Sequence, residues 1–232
     1  MPVTKVVEII DRAQTLLQDN TGTRWPRTEL QKWLNDAYKE IILARPDANA
    51  QSGKILLAAG TRQSIATTPA GALRLMDVVR NTAAASAKRA IRAIKRRILD
   101  EQMPDWHTQA GSIDIQHFVF DPKLPKEFLV YPPALTTAEV EIVYSSVPTP
   151  HALTDTQLSN IATADVIKLD DVYANAILDY VLYRGYSKDA SYAGNAARAS
   201  QAYSAFSSSL GLKSQVDGAT APVAPQAGSD DA

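Results

Sequence analysis

The sequence predicts an α+β fold: a helical bundle formed by N- and C-terminal helices, with an antiparallel β-rich region inserted between them and a disordered C-terminal tail. Apolar residues at helical spacing near both ends of the chain predict the bundle, and short apolar runs separated by Pro, Gly and Asp predict the β-rich middle. The domains expected are a discontinuous helical layer over residues 1–46 and 165–210, a β-rich insert over 47–164 and a flexible tail over 211–232.

Two helices are expected in the first part of the chain. In WPRTELQKWLNDAYKEIILARP, Pro26 suits the first helical turn and Pro46 stands where a helix must end. An earlier helix, capped by Thr4 and ending near Asp19, completes a predicted helical hairpin. The second helix carries one wide apolar stripe at three- and four-residue spacing: Leu30, Trp33, Leu34, Ala37, Tyr38, Ile41 and Ile42.

The middle of the chain predicts short strands. KILLAAGTRQSI reads as two strands around a turn at Ala59 and Gly60. The segment FVFDPKLPKEFLVY predicts a hairpin with a longer loop, and a polar connector with two prolines follows over residues 147–164. The strand candidates after the first pair are residues 73–80, 116–120, 127–131 and 138–144.

Helical spacing returns after Asp170, a predicted N-cap. A final alanine-rich helix is expected from about residue 190 to Leu210, where Gly211 should end it. The last residues, LKSQVDGATAPVAPQAGSDDA, contain few large apolar side chains and cannot offset their own ordering entropy. We therefore expect this tail to be disordered in the free protein.

Composition narrows the function classes. The 24 Lys and Arg against 25 Asp and Glu give a net charge of -1, which argues against bulk attraction to nucleic acid or anionic membrane. The absence of Cys excludes disulfides and thiolate metal sites and suits folding in a reducing cytoplasm. No apolar run approaches the ~18 residues of a membrane span, and the opening MPVTKVVEIIDR does not have the pattern of a signal peptide.

One local charge run stands out, at residues 88–97, KRAIRAIKRR. It holds six basic residues and no acid: Lys88, Arg89, Arg92, Lys95, Arg96 and Arg97. The isoleucines between them have helical spacing, although the segment could also begin as a strand. The simpler interpretation is an amphipathic segment with a solvated basic side. The functional one is a contact strip for an acidic partner or for DNA phosphates, and the alternative function it supports is a small, non-specific nucleic-acid-binding module.

Catalytic motifs are not evident, and the sequence predicts no enzyme, no cofactor and no metal site, since the three histidines lack ligand spacing. Two groups of carboxylates, Glu139 with Glu141 and Asp100 with Glu101 and Asp105, leave a hydrolase conceivable. Solvated strand edges and helix caps are the more ordinary interpretation of such pairs.

Trp106 lies in a Pro-containing loop and has two interpretations. One is an anchor in the protein's own packing, and the other is a loop interface with a partner.

Several patches, taken in order, resemble the head-to-tail adaptor proteins of short-tailed bacteriophages, the connector or tail tubular family. The resemblance touches most of residues 4–210 and depends on the order of the patches rather than on any catalytic fingerprint. After a first helix carrying Arg12 and Leu16, the patches are TRWPRTEL, WLNDAYKEI, ARP, LDEQMPDWH, FVFDPKLPKEFLVYPP and LDDVYANAILDYVLYRGYSKDASYAGNAARASQAYSAF.

This resemblance implies a structural virion protein that assembles in the host cytoplasm and ends at the head-tail junction. It implies a homo-oligomeric ring, a dodecamer, that joins the portal protein to the tail nozzle protein, with DNA as non-specific cargo in its lumen and no membrane partner. It also implies that the tail lies along the portal, although a tail without a role is an equal alternative. The tail residues that would dock are Leu212, Lys213, Val216 and Val223.

Overall fold

A computed structural model describes residues 2–189, 191–192 and 194–220, and over residues 212–220 it describes the backbone alone. The chain divides into two compact units, one made of residues 1–45 with 150–232 and the other of residues 46–149. The first is helical and the second is mostly β, so the predicted α+β class is confirmed.

The helical unit contains α1 (Val6–Leu16), α2 (Arg27–Ala44), α4 (Asp155–Leu158), α5 (Ala174–Lys188) and α6 (Asn195–Thr220). α5 is at its centre and packs against α1, α2 and α6. On one side Tyr180 of α5 meets Phe206 of α6, with ring centroids 5.3 Å apart. On another, Gly185 lets Leu17 approach closely, because an added Cβ there would lie 3.0 Å from the leucine Cδ2. The apolar stripe predicted for α2 is buried in this unit.

The start of α1 is fastened to the segment before α5. The Asp171 carboxylate accepts the backbone N–H groups of Val3 and Thr4, at 2.8 Å and 2.9 Å. Thr4 is therefore not the helix cap that the sequence predicted. Lys5 takes the N-cap position, and the Glu8 carboxylate accepts the Lys5 backbone N–H at 2.6 Å.

The turn between α1 and α2 is organised by a single carboxylate. Asp19 accepts the backbone N–H groups of Thr23, Arg24 and Trp25 at 2.8–3.1 Å. Burial opposes the ionisation of Asp19, but these hydrogen bonds together outweigh it and lower the pKa of the carboxyl. The loop of the predicted helical hairpin is thus held in place by charge-assisted hydrogen bonds to Asp19.

The predicted end of the β-rich insert at residue 164 is wrong. Residues 150–164, which form most of the predicted connector, belong to the helical unit. Gln31 of α2 exchanges two hydrogen bonds with the Leu153 backbone, at 2.9 Å and 3.2 Å. Asn35, one turn later, does the same with the His151 backbone. Two polar side chains on the buried side of α2 therefore pair the connector with this helix, a contact that a linear pattern does not reveal.

The β unit consists of two sheets over one core. Its strands are β1 (Ala50–Leu56), β2 (Gly60–Ser64), β3 (Ala72–Asn81), β4 (Arg92–Ala93), β5 (His117–Phe120), β6 (Glu127–Ala134) and β7 (Glu139–Ser146), with α3 (Arg96–Gln102) between β4 and β5. One sheet has the order β1-β7-β3 and the other β2-β6-β5-β4. All pairs are antiparallel except β4 with β5. The core between the sheets includes Ile55, Val78, Phe128, Val130 and Ile142.

The predicted β5–β6 hairpin is confirmed, whereas the two strands predicted around Gly60 do not pair with each other. β1 pairs with β7 and β2 with β6, so the chain changes sheets at this turn. Gly60 has a positive φ of 100°, which a side chain would disfavour.

The last helix is longer than the sequence predicted. α6 passes through Gly211 and continues to Thr220. Gly211 has an ordinary backbone conformation and so does not act as the left-handed residue that ends a helix. One glycine costs a helix only about 1 kcal/mol relative to alanine. The predicted tail over residues 211–232 is thus helical in its first ten residues, and its remainder lies outside the described residues.

Candidate functional site

The basic segment, residues 88–97, runs along the edge of the four-stranded sheet. It begins in a loop, passes through the edge strand β4 and enters the first turn of α3. The two interpretations of its backbone are both partly correct, since the middle is a strand and the end a helix. All six of its cationic side chains are exposed, while Ile91 is buried in the core.

The fully buried Asn81 fixes the backbone of this segment. Its side-chain amide donates to the Arg89 carbonyl at 3.0 Å and to the Ile115 carbonyl at 2.8 Å. Its Oδ1 accepts the Ile115 N–H at 2.8 Å. A second tie joins the Ile91 N–H to the Val79 carbonyl at 3.0 Å. The backbone of the segment is thus fixed, while its arginine and lysine side chains are exposed to solvent.

The cations of the basic segment differ in their partners. Arg96 forms an ion pair with Asp100 at 3.2 Å, and Arg97 pairs with Glu101, both one turn along α3. Among the residues that the structure describes, no ion pair involves the other four cations, Lys88, Arg89, Arg92 and Lys95.

The charge of the chain is unevenly divided between its units. By sequence, residues 46–149 hold 12 basic and 10 acidic residues, a net charge of +2, whereas the rest of the chain holds 12 and 15, a net charge of -3. The near-neutral whole therefore conceals a positive β unit.

Trp106 is fully buried, so of its two interpretations the packing anchor agrees with the structure and the loop-interface role of this side chain is wrong. Its indole packs with Leu99 and Val119, and its Nε1–H donates to the Asp100 carboxylate at 2.9 Å. The ring of His107 stacks on it with centroids 3.7 Å apart. Trp106 thus attaches α3 and the following loop to the outer face of the four-stranded sheet.

Four of the five carboxylates suggested by the sequence are engaged in structural contacts, namely Glu139, Glu141, Asp100 and Glu101. Glu141 accepts hydrogen bonds from Arg80 at 2.6 Å and from Ser52 at 3.1 Å, and these bonds lower the pKa of its carboxyl. Glu139 accepts the Thr82 hydroxyl at 2.7 Å. Glu139 and Glu141 thus serve the sheet rather than forming an acid/base pair. No group of three metal-ligating side chains occurs in the described part of the chain.

A buried polar network in the helical unit was not predicted. The His151 ring lies between the Tyr38 hydroxyl, 3.0 Å from Nε2, and the Asp165 carboxylate, 3.1 Å from Nδ1. Burial lowers the pKa of His151, and the Asp165 carboxylate only partly opposes this. The Tyr38 hydroxyl also accepts the Lys168 N–H at 3.1 Å. The only signal in the sequence is that Tyr38, which carries a hydroxyl, belongs to the apolar stripe of α2.

The predicted docking residues of the tail are only partly described. Leu212, Lys213 and Val216 lie in α6, whose backbone alone is given at these positions, and Val223 lies outside the described residues.

A firmly anchored, exposed cationic edge, with the nearby carboxylates engaged in structural pairs, is typical of an assembly or binding protein. The comparison with protein families agrees: the family model described as SU10 adaptor protein matches residues 4–226, and the chain belongs to this family of phage structural adaptor proteins. The resemblance to phage adaptors is thereby confirmed, and the chain is a virion component of a family that is structural rather than enzymatic. A comparison with curated proteins found no match. The described helices include none with the length and apolar character needed to cross a membrane.

Proposed function

We propose that this chain is a head-to-tail adaptor that forms a ring joining the portal to the tail nozzle, with DNA passing through its lumen. The observation that carries the proposal is the family match over residues 4–226, which spans the helical and the β unit alike. By its resemblance to connector proteins the ring is a dodecamer at the head-tail junction, assembled in the host cytoplasm.

The helical unit would act as a bundle that packs against its neighbour in the ring. Identical subunits close a ring through a heterologous contact, which needs two different surfaces on each copy. Exposed apolar side chains on this unit support such contacts, since Leu43 of α2 is 80% exposed and Val172 is 62% exposed. Burying one of these side chains on assembly contributes roughly 1.5–3 kcal/mol.

The β unit would present its cations to the DNA or to an acidic surface of a neighbouring ring. Non-specific attraction to phosphates requires only charge, and the side chains of Lys88, Arg89 and Arg92 are exposed and held on an anchored backbone. In a ring this cationic edge is repeated once in every subunit, so contacts that are weak in one copy add up over the assembly.

The C-terminal tail would dock on the portal. Leu212, Lys213 and Val216 lie in the C-terminal part of α6, and Val223 follows in the sequence. A segment that gains contacts only on the portal stabilises the assembled state without stabilising rings in solution.

Sedimentation of the purified protein alone and with its portal ring tests the proposal, comparing the full chain with a chain truncated after Leu210. We expect portal-dependent assembly of the full chain and a loss of assembly on truncation. A monomer that ignores the portal would contradict the adaptor function. Assembly that survives the truncation would contradict only the role of the tail.

The alternative function, a small nucleic-acid-binding module, is supported by the four cations without an ion pair. Replacing Arg92, Lys95 and Arg96 by glutamine should then greatly lower DNA affinity and reduce the dependence of log K on log salt by about 2–3. Under the adaptor proposal the unmodified protein already binds DNA weakly at physiological salt, and the same variant assembles on the portal.

A further inference from the structure

The outer face of the four-stranded sheet carries a groove that the adaptor function alone does not explain. α3 and the Trp106 loop cover part of this face, and beside them an open cavity of about 720 Å³ remains. Its floor is apolar and includes Ile94, Val119 and Leu129. Ile94 follows the edge strand β4, Val119 lies in β5 and Leu129 lies in β6. A hydrogen bond of 2.9 Å between Thr61 and His107 closes one side.

The groove also has an exposed apolar wall. Leu124, in the turn between β5 and β6, lines it and is 48% exposed. A concave surface of this size with an apolar floor suits one or two large side chains of a partner, and interfaces concentrate their binding energy on such buried anchors.

The charges at the rim leave one cation available. Of the three cations that line the groove, Arg62 is paired with Glu127 and Arg96 is paired with Asp100, whereas Lys95 has no ion pair among the described residues.

Two carboxylates line the groove, on Glu127 and Asp121. The Asp121 carboxylate accepts the Lys123 backbone N–H of its own turn at 2.9 Å. Arg97, the residue after Arg96 in α3, is paired with Glu101, so Lys95 is the cation of this wall that has no ion pair among the described residues. A carboxylate of a partner placed next to an apolar anchor would meet this wall.

We propose that this groove binds an acidic peptide segment of a neighbouring virion protein, with a large apolar side chain on the floor and a carboxylate at Lys95. The proposal rests on the adaptor function and assigns to it a partner of stated chemistry. It also divides the basic segment, since Arg89 and Arg92 line a separate cleft with His117 and are left for contacts with DNA.

DNA is the less suitable occupant because its backbone offers charge and sugar but no large apolar side chain. Phosphate contacts need several cations around one path, and at the groove two of the three cations are already neutralised by ion pairs. The apolar floor would remain uncovered under a phosphate backbone, whereas a leucine or tryptophan side chain would fill it.

The test uses the full-length protein labelled with ¹⁵N and two peptide probes, acetyl-Asp-Glu-Trp-Leu-Asp-amide and acetyl-Lys-Lys-Trp-Leu-Lys-amide. We expect the acidic peptide to shift the amide signals of Ile94, Val119 and Leu129, and the basic peptide to shift none of them. Lys95→Glu should weaken binding of the acidic peptide about tenfold or more. Lys88→Glu is the matched control, because it makes the same charge change in the same segment away from the groove, and it should leave binding within twofold.

The apolar part of the site has its own pair of variants. Leu124→Ala should weaken binding of the acidic peptide severalfold, and Leu56→Ala, which removes a 69% exposed leucine outside the groove, should not. Both residues are exposed, so neither change threatens the fold.

Three results would overturn the proposal: no binding of the acidic peptide, equal binding of both peptides, or equal weakening by Lys95→Glu and Lys88→Glu, which would indicate bulk charge. A DNA duplex that shifts the floor signals in place of the peptide would overturn it as well. None of these results bears on the adaptor function, which depends on assembly with the portal.

Discussion

Replacing Asn81 by alanine should uncouple the basic segment from the sheet. The change removes three side-chain hydrogen bonds and leaves the N–H and C=O of the buried Ile115 without partners. The Arg89 carbonyl keeps a bond from the Asn81 backbone N–H at 3.0 Å, so two polar groups are orphaned rather than three. At about 1–3 kcal/mol for each orphaned group, with some relief from relaxation, we expect the β unit to lose about 2–4 kcal/mol of unfolding free energy.

Hydrogen exchange measured by mass spectrometry, together with urea unfolding, gives the required resolution, because the chain has two compact units and need not unfold in one step. Exchange in residues 88–94 and 112–118 should accelerate by about a hundredfold if 3 kcal/mol is lost, while α2 and α5 keep their protection. Asn175→Ala, at an exposed site on α5, is the control and should cost less than about 0.5 kcal/mol. A cost below about 1 kcal/mol for Asn81→Ala, or uniform acceleration over both units, would refute the argument.

Three further predictions concern the helical unit. Burial lowers the pKa of His151 below its usual value of about 6.5, so protonation of this histidine favours the unfolded state. Thermal stability should therefore fall as the pH drops below about 6.5. His151→Gln should flatten this part of a pH series of thermal unfolding. Asp19→Asn should lower the unfolding free energy by about 1–3 kcal/mol in urea titrations at pH 7, because one amide oxygen replaces a carboxylate that accepts three backbone N–H groups; an unchanged midpoint would contradict this. Gly211→Ala should raise helicity measured by circular dichroism and stabilise α6 by about 0.5–1 kcal/mol, since an added Cβ meets nothing within 4 Å; destabilisation would instead indicate that the glycine ends the helix.

Helices with strong apolar periodicity could be predicted from the sequence. The position at which a helix ends could be predicted only where a proline marks it. α2 lies between the two prolines that predicted it, with Pro26 as its N-cap and Pro46 two residues beyond its end. Gly211 misled because a glycine ends a helix only if its φ is positive, and that angle depends on the backbone rather than on the residue type. Residues 150–164 of the connector were assigned to the wrong unit because their contacts with Gln31 and Asn35 span more than a hundred residues.

The exposure of the basic segment could be predicted from charge alone, but its anchoring and its partners could not. Asn81 lies at the end of a predicted strand, where an asparagine normally indicates a turn, and only the fold shows that its amide holds two other segments. Likewise, the sequence leaves Trp106 with two interpretations, and only the fold shows that its indole is fully buried against the sheet.

The change of secondary structure within the basic segment decides what its cations can do. A strand alternates its side chains between two faces, so Ile91 enters the core while Arg92 faces solvent. At Lys95 the chain leaves the strand and starts α3, and the helical turn brings Arg96 and Arg97 within reach of carboxylates four residues on. A continuous helix would have placed all six cations in one geometry and neutralised them similarly. The strand-to-helix transition instead separates the unpaired cations at the start of the segment from Lys95 beside the apolar groove, so one run of charge can serve two surfaces of an adaptor.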